Sequence, residues 1–254
     1  MRKKLLAGNW KMNKLNAELS DYFEQFTKAL RLNETQVKNQ VDTLFAVPYL
    51  LLEKSASIAQ KFGISIAAQN VHWEKSGAFT GEVSISMLKE LRVQTTLIGH
   101  SERRQYFGET DETVTKKVKA CLENGMTPIV CVGERREERE QGKTSQVVSR
   151  QMQAFLEVIS SPGSLIVAYE PVWAIGTGLS ATSDQAQEVH ALIRDILSKK
   201  FGKGTADTIR ILYGGSASPK NVDDLFTKPD IDGCLVGGAS LKPDEFAAMV
   251  LAGR

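Results

Sequence analysis

The chain has few cysteines, no long hydrophobic run and no excess of charge of either sign. Its three cysteines, Cys121, Cys131 and Cys234, are an odd number without CxxC spacing, which argues against both a disulfide framework and a zinc cluster. No stretch approaches the roughly 20 apolar residues that a transmembrane helix needs. The basic residues at the start reach Gly8 before an apolar run of signal-peptide length can develop. We therefore expect a cytoplasmic protein.

The balance of charges limits the classes of partner. The chain has 32 Lys and Arg residues against 30 Asp and Glu residues, a formal net charge of +2, so it lacks the overall field that holds nucleic acid or anionic membrane. Its histidines show neither HExxH nor paired-ligand spacing, so we expect no metal site. No Pro/Gly/Ser-rich linker divides the 254 residues. We expect one domain, residues 1–254, with neither nucleic acid nor membrane as a partner.

Eight short apolar segments rich in β-forming residues recur along the chain, at residues 5–10, 43–47, 64–69, 95–99, 128–132, 165–169, 209–213 and 233–236. Most alternate too little for a half-exposed strand, which favours parallel strands buried on both faces. Segments of helical character lie between them, among them residues 16–32, 50–62, 112–124, 144–159, 185–200 and 222–227. Thr182 with Gln185 predicts a capping box, and Ser218 before Pro219 predicts a helix start.

Eight strand and helix units of about 32 residues each match a single (β/α)₈ barrel of about 250 residues. An open, doubly wound sheet is the alternative architecture, but it usually has fewer strands and would leave segments unassigned. Two connections, residues 70–84 and 171–181, are longer than usual, which is typical of functional or interfacial loops. We interpret residues 134–140 (ERREERE) as a solvent-exposed helix face without a role.

Polar residues and glycines follow several of the apolar segments: Asn9, Lys11, His100, Glu102, Glu170, Gly214, Gly215, Ser216, Gly237 and Gly238. The chemistry of this fold is found at the C-terminal ends of the strands, so their common placement favours an active site. The glycine pairs expose backbone N–H groups near helix starts, where a phosphate can bind. They are equally compatible with tight turns.

The motifs at these positions resemble one family. They are GNWKMN at residues 8–13, IGHSERR at 98–104, AYEPVWAIGTG at 168–178, YGGS at 213–216 and GCLVGGASL at 233–241. With QNVH at residues 69–72 and GAFTGE at 77–82, they are similar in content and order to triosephosphate isomerases. The resemblance runs from Lys4 to the last helix.

The resemblance implies interconversion of dihydroxyacetone phosphate and glyceraldehyde 3-phosphate through an enediolate, without metal or organic cofactor. By the family pattern, Glu170 is the base, His100 the neutral electrophile and Lys11 the cation beside the developing charge, with Asn9 next to it. A carboxylate base paired with a neutral imidazole at a helix N-terminus is characteristic of this family, and these roles are carried over from it.

The resemblance also implies how the substrate phosphate and a second subunit are bound. Gly176 would join Ser216, Gly237 and Gly238 around the phosphate. The GAFTGE loop is similar to one that enters a neighbouring subunit, with Thr80 near the neighbour's active site, so a homodimer is expected. Leu179 departs from the lysine of many relatives, which concerns the kinetics of the loop over the site.

Three alternatives remain open from the residues. The first is another phosphosugar isomerase or epimerase on the same barrel, which need not combine Lys11, His100 and Glu170. The second is a barrel that binds phosphometabolites without catalysis, which the presence of Glu170 disfavours. The third is a scaffold role resting on the long loop alone.

Overall fold

The structure, a computed structural model, describes residues 2–30, 41–174 and 181–253. Its strands are β1 (Lys4–Asn9), β2 (Val41–Val47), β3 (Ser65–Ala68), β4 (Thr95–Ile98), β5 (Thr127–Val132), β6 (Ile166–Tyr169), β7 (Arg210–Tyr213) and β8 (Gly233–Val236). All neighbouring strands are parallel, and β1 pairs with β8 in the register Leu5 to Gly233, so the sheet closes into a barrel. Closure excludes the open-sheet alternative and confirms the predicted (β/α)₈ barrel.

Helices connect the strands on the outside. In the described residues they are α1 (Leu19–Ala29), α2 (Leu52–Gln60), α3 (Ile85–Glu90), α4 (Ser101–Tyr106), α5 (Asp111–Glu123), α6 (Arg136–Glu140), α7 (Thr144–Leu156), α8 (Ser183–Phe201), α9 (Lys203–Ala206), α10 (Val222–Phe226) and α11 (Pro243–Ala252). Short 3₁₀ turns precede α1, α2 and α11 and follow β6. Within the described ranges, no helix is long and apolar enough to cross a membrane.

The strands are buried on both faces, as their apolar runs predict. Along β1, Leu5 and Ala7 point into the barrel, whereas Leu6 packs in the layer between strands and helices. The interior is filled by small and branched side chains from every strand: Leu5, Ala7, Leu44, Ala46, Ala67, Leu97, Ile129, Cys131, Ile166, Ala168, Leu212 and Leu235. The barrel is therefore a packed core, and its chemistry must lie at a rim.

An aromatic cluster fixes the end of β1. Trp10, directly after the strand, is fully buried, with its ring 4.8 Å from that of Tyr22 and 5.5 Å from that of Phe45. The Trp10 indole and the Tyr22 hydroxyl both donate to the carbonyl of Ser240, which follows β8. The loop that carries Lys11 is thereby tied to the loop after β8.

One predicted helix start is confirmed and one is wrong. Thr182 and Gln185 form the capping box, with each side chain accepting from the other's backbone N–H. Ser218 does not begin a helix; its hydroxyl accepts from the Lys220 N–H within a turn, and α10 starts only at Val222 after the N-cap Asn221. Proline at the second position of a turn is as favourable as proline at the first position of a helix, so the local pattern could not separate the two.

Candidate active site

Three of the predicted site residues lie at or just after the C-terminal ends of their strands. Asn9 is the last residue of β1, His100 follows β4 after one glycine, and Glu170 directly follows β6. All three side chains are buried, with Glu170 only 2% exposed. The barrel brings together residues that are far apart in sequence, as expected for polar residues at the C-terminal ends of parallel barrel strands.

His100 and Glu170 are in direct contact. The His100 Nε2 lies 2.9 Å from the Glu170 Oε1, and the Ser101 backbone N–H donates to the other carboxylate oxygen at 2.8 Å. The Glu102 backbone N–H points at the His100 Nδ1 at 3.3 Å, so Nδ1 carries a lone pair. This pattern matches a neutral imidazole with its proton on Nε2, donated to Glu170.

The contact shifts both pKa values. Burial alone would lower the pKa of the His100 imidazole, but the Glu170 carboxylate raises it, and the net direction is upward. Burial alone would raise the pKa of Glu170, but His100 and the Ser101 amide lower it, and the net direction is downward. Glu170 is therefore held as a carboxylate whose basicity is restrained by its partners.

Lys11 is held in an unusual backbone conformation at the same rim. Its φ is 50°, the left-handed region that costs non-glycine residues on the order of 1 to 3 kcal/mol. The Lys11 N–H donates to the Asn9 Oδ1 at 2.9 Å, and the Gln69 amide donates to the Lys11 carbonyl at 2.8 Å. Asn9 and Gln69 therefore fix the backbone from which the lysine reaches over the site.

Glu102 is a site residue that the sequence pattern placed on the rim without a role. Its carboxylate accepts from the Lys11 Nζ at 2.6 Å, while its backbone N–H points at His100. Glu102 thus contacts both Lys11 and His100. Its position two residues after His100, in the first turn of α4, was the available signal.

The glycine loops after β7 and β8 border this cluster. A Cβ built on Gly237 would lie 3.9 Å from the Lys11 Nζ, so the lysine ammonium lies beside the loop after β8. Gly238 begins the 3₁₀ turn Gly238–Leu241 and is exposed, as is Ser216 after β7. These backbones face solvent at the same rim. Gly176, the remaining predicted phosphate residue, and Leu179 lie outside the described residues.

Gly214 lies against the side chain of Glu170. A Cβ at this position would lie 2.9 Å from the Glu170 Cγ and 3.0 Å from the Tyr169 carbonyl oxygen. Both distances are too short for a methyl group. The glycine therefore leaves room for the Glu170 side chain.

The interpretation of residues 134–140 as a solvent-exposed face is wrong at its first residue. Glu134 is fully buried; its carboxylate accepts from the Tyr169 hydroxyl at 3.1 Å and from the Trp173 indole N–H at 2.9 Å. The Arg139 guanidinium lies 3.9 Å away and partly balances the charge. Glu134 comes two residues after the end of β5. The search for polar residues after the strand ends, made for the other strands, would therefore have identified it.

The loop of residues 74–82 is exposed, including Thr80 at its tip. Phe79 is 43% exposed and packs on the ring of His72, which also lies against Trp73. Met87, five residues after the loop, is also exposed. An isolated barrel thus presents apolar side chains in its long loop and shortly after it.

Residues that could hold a metal do not cluster: the described part of the chain contains no group of three or more His, Cys, Asp or Glu residues arranged for one. The three cysteines are buried and unpaired. The groups available for chemistry are a carboxylate, an imidazole, a lysine ammonium and backbone N–H groups. Together they can remove a proton from carbon and stabilise an oxyanion.

Comparisons with known proteins show the family to which the chain is similar. The profile of the family described as triosephosphate isomerase matches residues 4–253. A triosephosphate isomerase of Citrifermentans bemidjiense is 50% identical over 252 residues, covering 98% of both chains. One of Chlorobium luteolum is 49% identical over 253 residues, and one of Fusobacterium nucleatum is 48% identical over 256 residues, each covering 100% of both chains.

Proposed function

Because the chain belongs to the triosephosphate isomerase family and interconverts dihydroxyacetone phosphate and glyceraldehyde 3-phosphate, we propose that Glu170, His100 and Lys11 perform the reaction through an enediolate. The observation that carries the proposal is the hydrogen bond between His100 and Glu170 at the C-terminal rim of the barrel. It pairs a buried carboxylate with an imidazole N–H, the two groups that a proton transfer next to a carbonyl needs.

Glu170 is the proposed base, moving a proton between carbons 1 and 2 of the substrate. In the described arrangement its carboxylate is occupied by His100 and Ser101, which lowers its pKa. When the Glu170 carboxylate leaves His100 and Ser101 and turns to the substrate, these groups no longer lower its pKa, whereas burial continues to disfavour its charged form. The basicity of Glu170 therefore rises when it faces the carbon acid.

His100 is the proposed electrophile. Its Nε2 proton, now donated to Glu170, would be donated to a substrate oxygen instead, and the same nitrogen would relay protons between the two oxygens. The upward pKa shift of His100 comes from the Glu170 carboxylate, so it diminishes as that carboxylate moves to the substrate. The imidazole then acts in its neutral form.

Lys11 and Asn9 are the proposed stabilisers of negative charge. Lys11 provides the cation beside the enediolate oxygen and the phosphate, and Asn9 fixes its backbone. The Glu102 carboxylate now bonded to Lys11 is half-exposed, so an anionic substrate can compete for the ammonium. Fixed donors of this kind contribute on the order of 3 kcal/mol each to a developing oxyanion.

The substrate phosphate is proposed to bind to the backbones of Ser216, Gly237 and Gly238, joined by Gly176. The exposed positions of Ser216 and Gly238 and the nearness of Gly237 to Lys11 support this assignment. Residues 171–181 are the proposed cover that keeps water from the enediolate, which would otherwise expel its phosphate. Residues 175–180 of that segment lie outside the described residues.

A homodimer is proposed, with residues 70–82 of each subunit reaching the other and Thr80 near the neighbour's site. The exposed side chains of Phe79 in this loop and Met87 shortly after it support the proposal, because exposed apolar surface is costly on a monomer. Replacing the loop tip by a short polar turn should give monomers of low activity. A fully active monomer of the unaltered chain, observed by sedimentation, would contradict this proposal.

We place the enzyme in the cytoplasm as one domain without metal or organic cofactor. Its three buried, unpaired thiols suit a reducing compartment. Its base and its electrostatic stabilisers all come from the chain.

Glu170→Gln tests the assignment of the base. The amide keeps the shape of the side chain but cannot accept the proton, so we expect kcat to fall by a factor on the order of 10³ or more with phosphate-ligand binding retained. Exposed Glu157→Gln makes the same chemical change away from the rim and should leave kcat unchanged. A Glu170→Gln enzyme within tenfold of the unaltered one would remove Glu170 from this role.

A further inference from the structure

The position of His100 depends on a turn at Gly99. Gly99 follows β4 and has a φ of 72°, where a Cβ would lie 2.8 Å from the Val114 Cγ2. In this turn the N–H and the carbonyl of Gly99 form hydrogen bonds with two side chains instead of with neighbouring strands. The Gly99 N–H donates to the Glu109 Oε2 at 3.0 Å, and the Arg104 Nε donates to the Gly99 carbonyl at 2.9 Å.

Arg104 holds this carbonyl from a fixed position. Its Nη1 donates to the Asp111 Oδ1 at 2.6 Å, and the other oxygen of Asp111 accepts from the Arg150 Nε at 3.3 Å. The guanidinium is planar and rigid, so bonds from Nε and Nη1 fix its plane. The Gly99 carbonyl belongs to the peptide that precedes His100, so the same guanidinium restrains the rotation that would tilt the imidazole.

We propose that Arg104 is a positioning residue for His100. By holding the Gly99 carbonyl, it keeps the imidazole Nε2 aimed into the site where Glu170 and the substrate oxygens meet it. This inference rests on the proposed role of His100. Lysine at this position could pair with Asp111 but could not also hold the Gly99 carbonyl with the same geometry, because an ammonium lacks the fixed fork.

A cavity beside Arg104 gives the proposal a specific test. It measures about 840 Å³ and is lined by Gly99, Arg104 and Asp111 among others. The Arg104 Nη2 is buried and has no hydrogen-bond partner among the described residues. Truncating the side chain would add the volume of the guanidinium to this cavity and expose the Gly99 carbonyl and the Asp111 carboxylate to it, leaving a site that a free guanidinium ion fits.

The experiment compares Arg104→Ala and Arg104→Lys with Arg150→Ala. Arg150 contacts the same carboxylate but not Gly99, and its side chain is 59% exposed. We expect both Arg104 variants to lose about 10- to 100-fold in kcat with little change in KM, since misplacement of a catalytic group by about 1 Å costs up to 10²-fold. Arg150→Ala should keep its kcat. Guanidinium at millimolar, non-denaturing concentration should restore kcat in Arg104→Ala but not in Arg104→Lys.

His100→Gln separates failure of this inference from failure of the proposed function. If His100→Gln lowers kcat on the order of 10²-fold while folded Arg104→Ala and Arg104→Lys stay within twofold of the unaltered enzyme, the positioning role is overturned and the proposed function stands. An impaired, folded Arg104→Ala that guanidinium does not rescue also overturns it. Full activity of His100→Gln would overturn both.

Discussion

Alanine at Gly214 should reduce turnover by displacing the Glu170 side chain. The new Cβ would lie 2.9 Å from the Glu170 Cγ, whereas ordinary van der Waals contact begins at 3.4 Å, so the Cγ must move by about 0.5 Å and the carboxylate beyond it by more. A displacement approaching 1 Å can cost 10²-fold in rate. We therefore expect kcat to fall about 10- to 100-fold, a barrier increase of about 1.4 to 2.7 kcal/mol.

A coupled assay of glyceraldehyde 3-phosphate isomerisation measures kcat and KM separately. KM should change less than kcat, because the added methyl group would contact Glu170 and Tyr169 and not Ser216, Gly237 or Gly238, the proposed phosphate residues. Gly204→Ala is the matched control: no atom lies within 4 Å of the Cβ that it would add, so its kcat should be unchanged. A folded Gly214→Ala enzyme within twofold of the unaltered kcat would refute the reasoning.

Three further predictions concern stability, each measured by urea unfolding. Glu134→Gln should lower the unfolding free energy by about 1 to 3 kcal/mol, because it removes the buried negative charge that strengthens the hydrogen bonds from Tyr169 and Trp173 and that faces Arg139; an unchanged midpoint would contradict this. Arg92 has a φ of 60° after α3, the position that Gly125 holds at 66° after α5; Arg92→Gly should add about 1 kcal/mol and Gly125→Arg remove at least as much, and shifts of equal sign would refute the argument. Burial lowers the pKa of His190 to about 4, so between about pH 6.5 and 4 the unfolded chain binds a proton that the folded chain does not. The unfolding free energy should therefore drop by about 3 kcal/mol over this range. His190→Gln should lose this pH dependence, and a variant with the same pH dependence as the unaltered chain would exclude His190 as its source.

The sequence predicts the strands and the rim residues well because both depend on local patterns. Apolar runs of four to six residues mark buried parallel strands, as in β8, where the predicted and observed bounds agree. Polar residues after such runs identify Asn9, His100 and Glu170, because the fold itself brings strand ends to one rim.

Other features depend on partners that no local pattern names. Glu134 belongs to a run that is charged throughout, and only the donors from Tyr169 and Trp173 make its burial possible. Ser218 lies in a turn in which its backbone N–H donates to the Asn221 Oδ1, and the next helix starts only after Asn221. The YGGS pattern around Gly214 does not reveal that the side chain of Glu170, distant in sequence, packs against this glycine.

The pairing of β1 with β8 has a consequence for synthesis of the chain. Leu5 pairs with Gly233, so one edge of β1 lacks its partner until the more than 200 residues between these two positions have been synthesised and have left the ribosome. At about 5 to 20 residues per second, that interval is on the order of 10 to 50 s. During it, an apolar strand edge is open to pairing with other nascent chains. The open edge of β1 is covered only when β8 pairs with it, so the risk of aggregation through this edge lasts until the last strand of the barrel has formed.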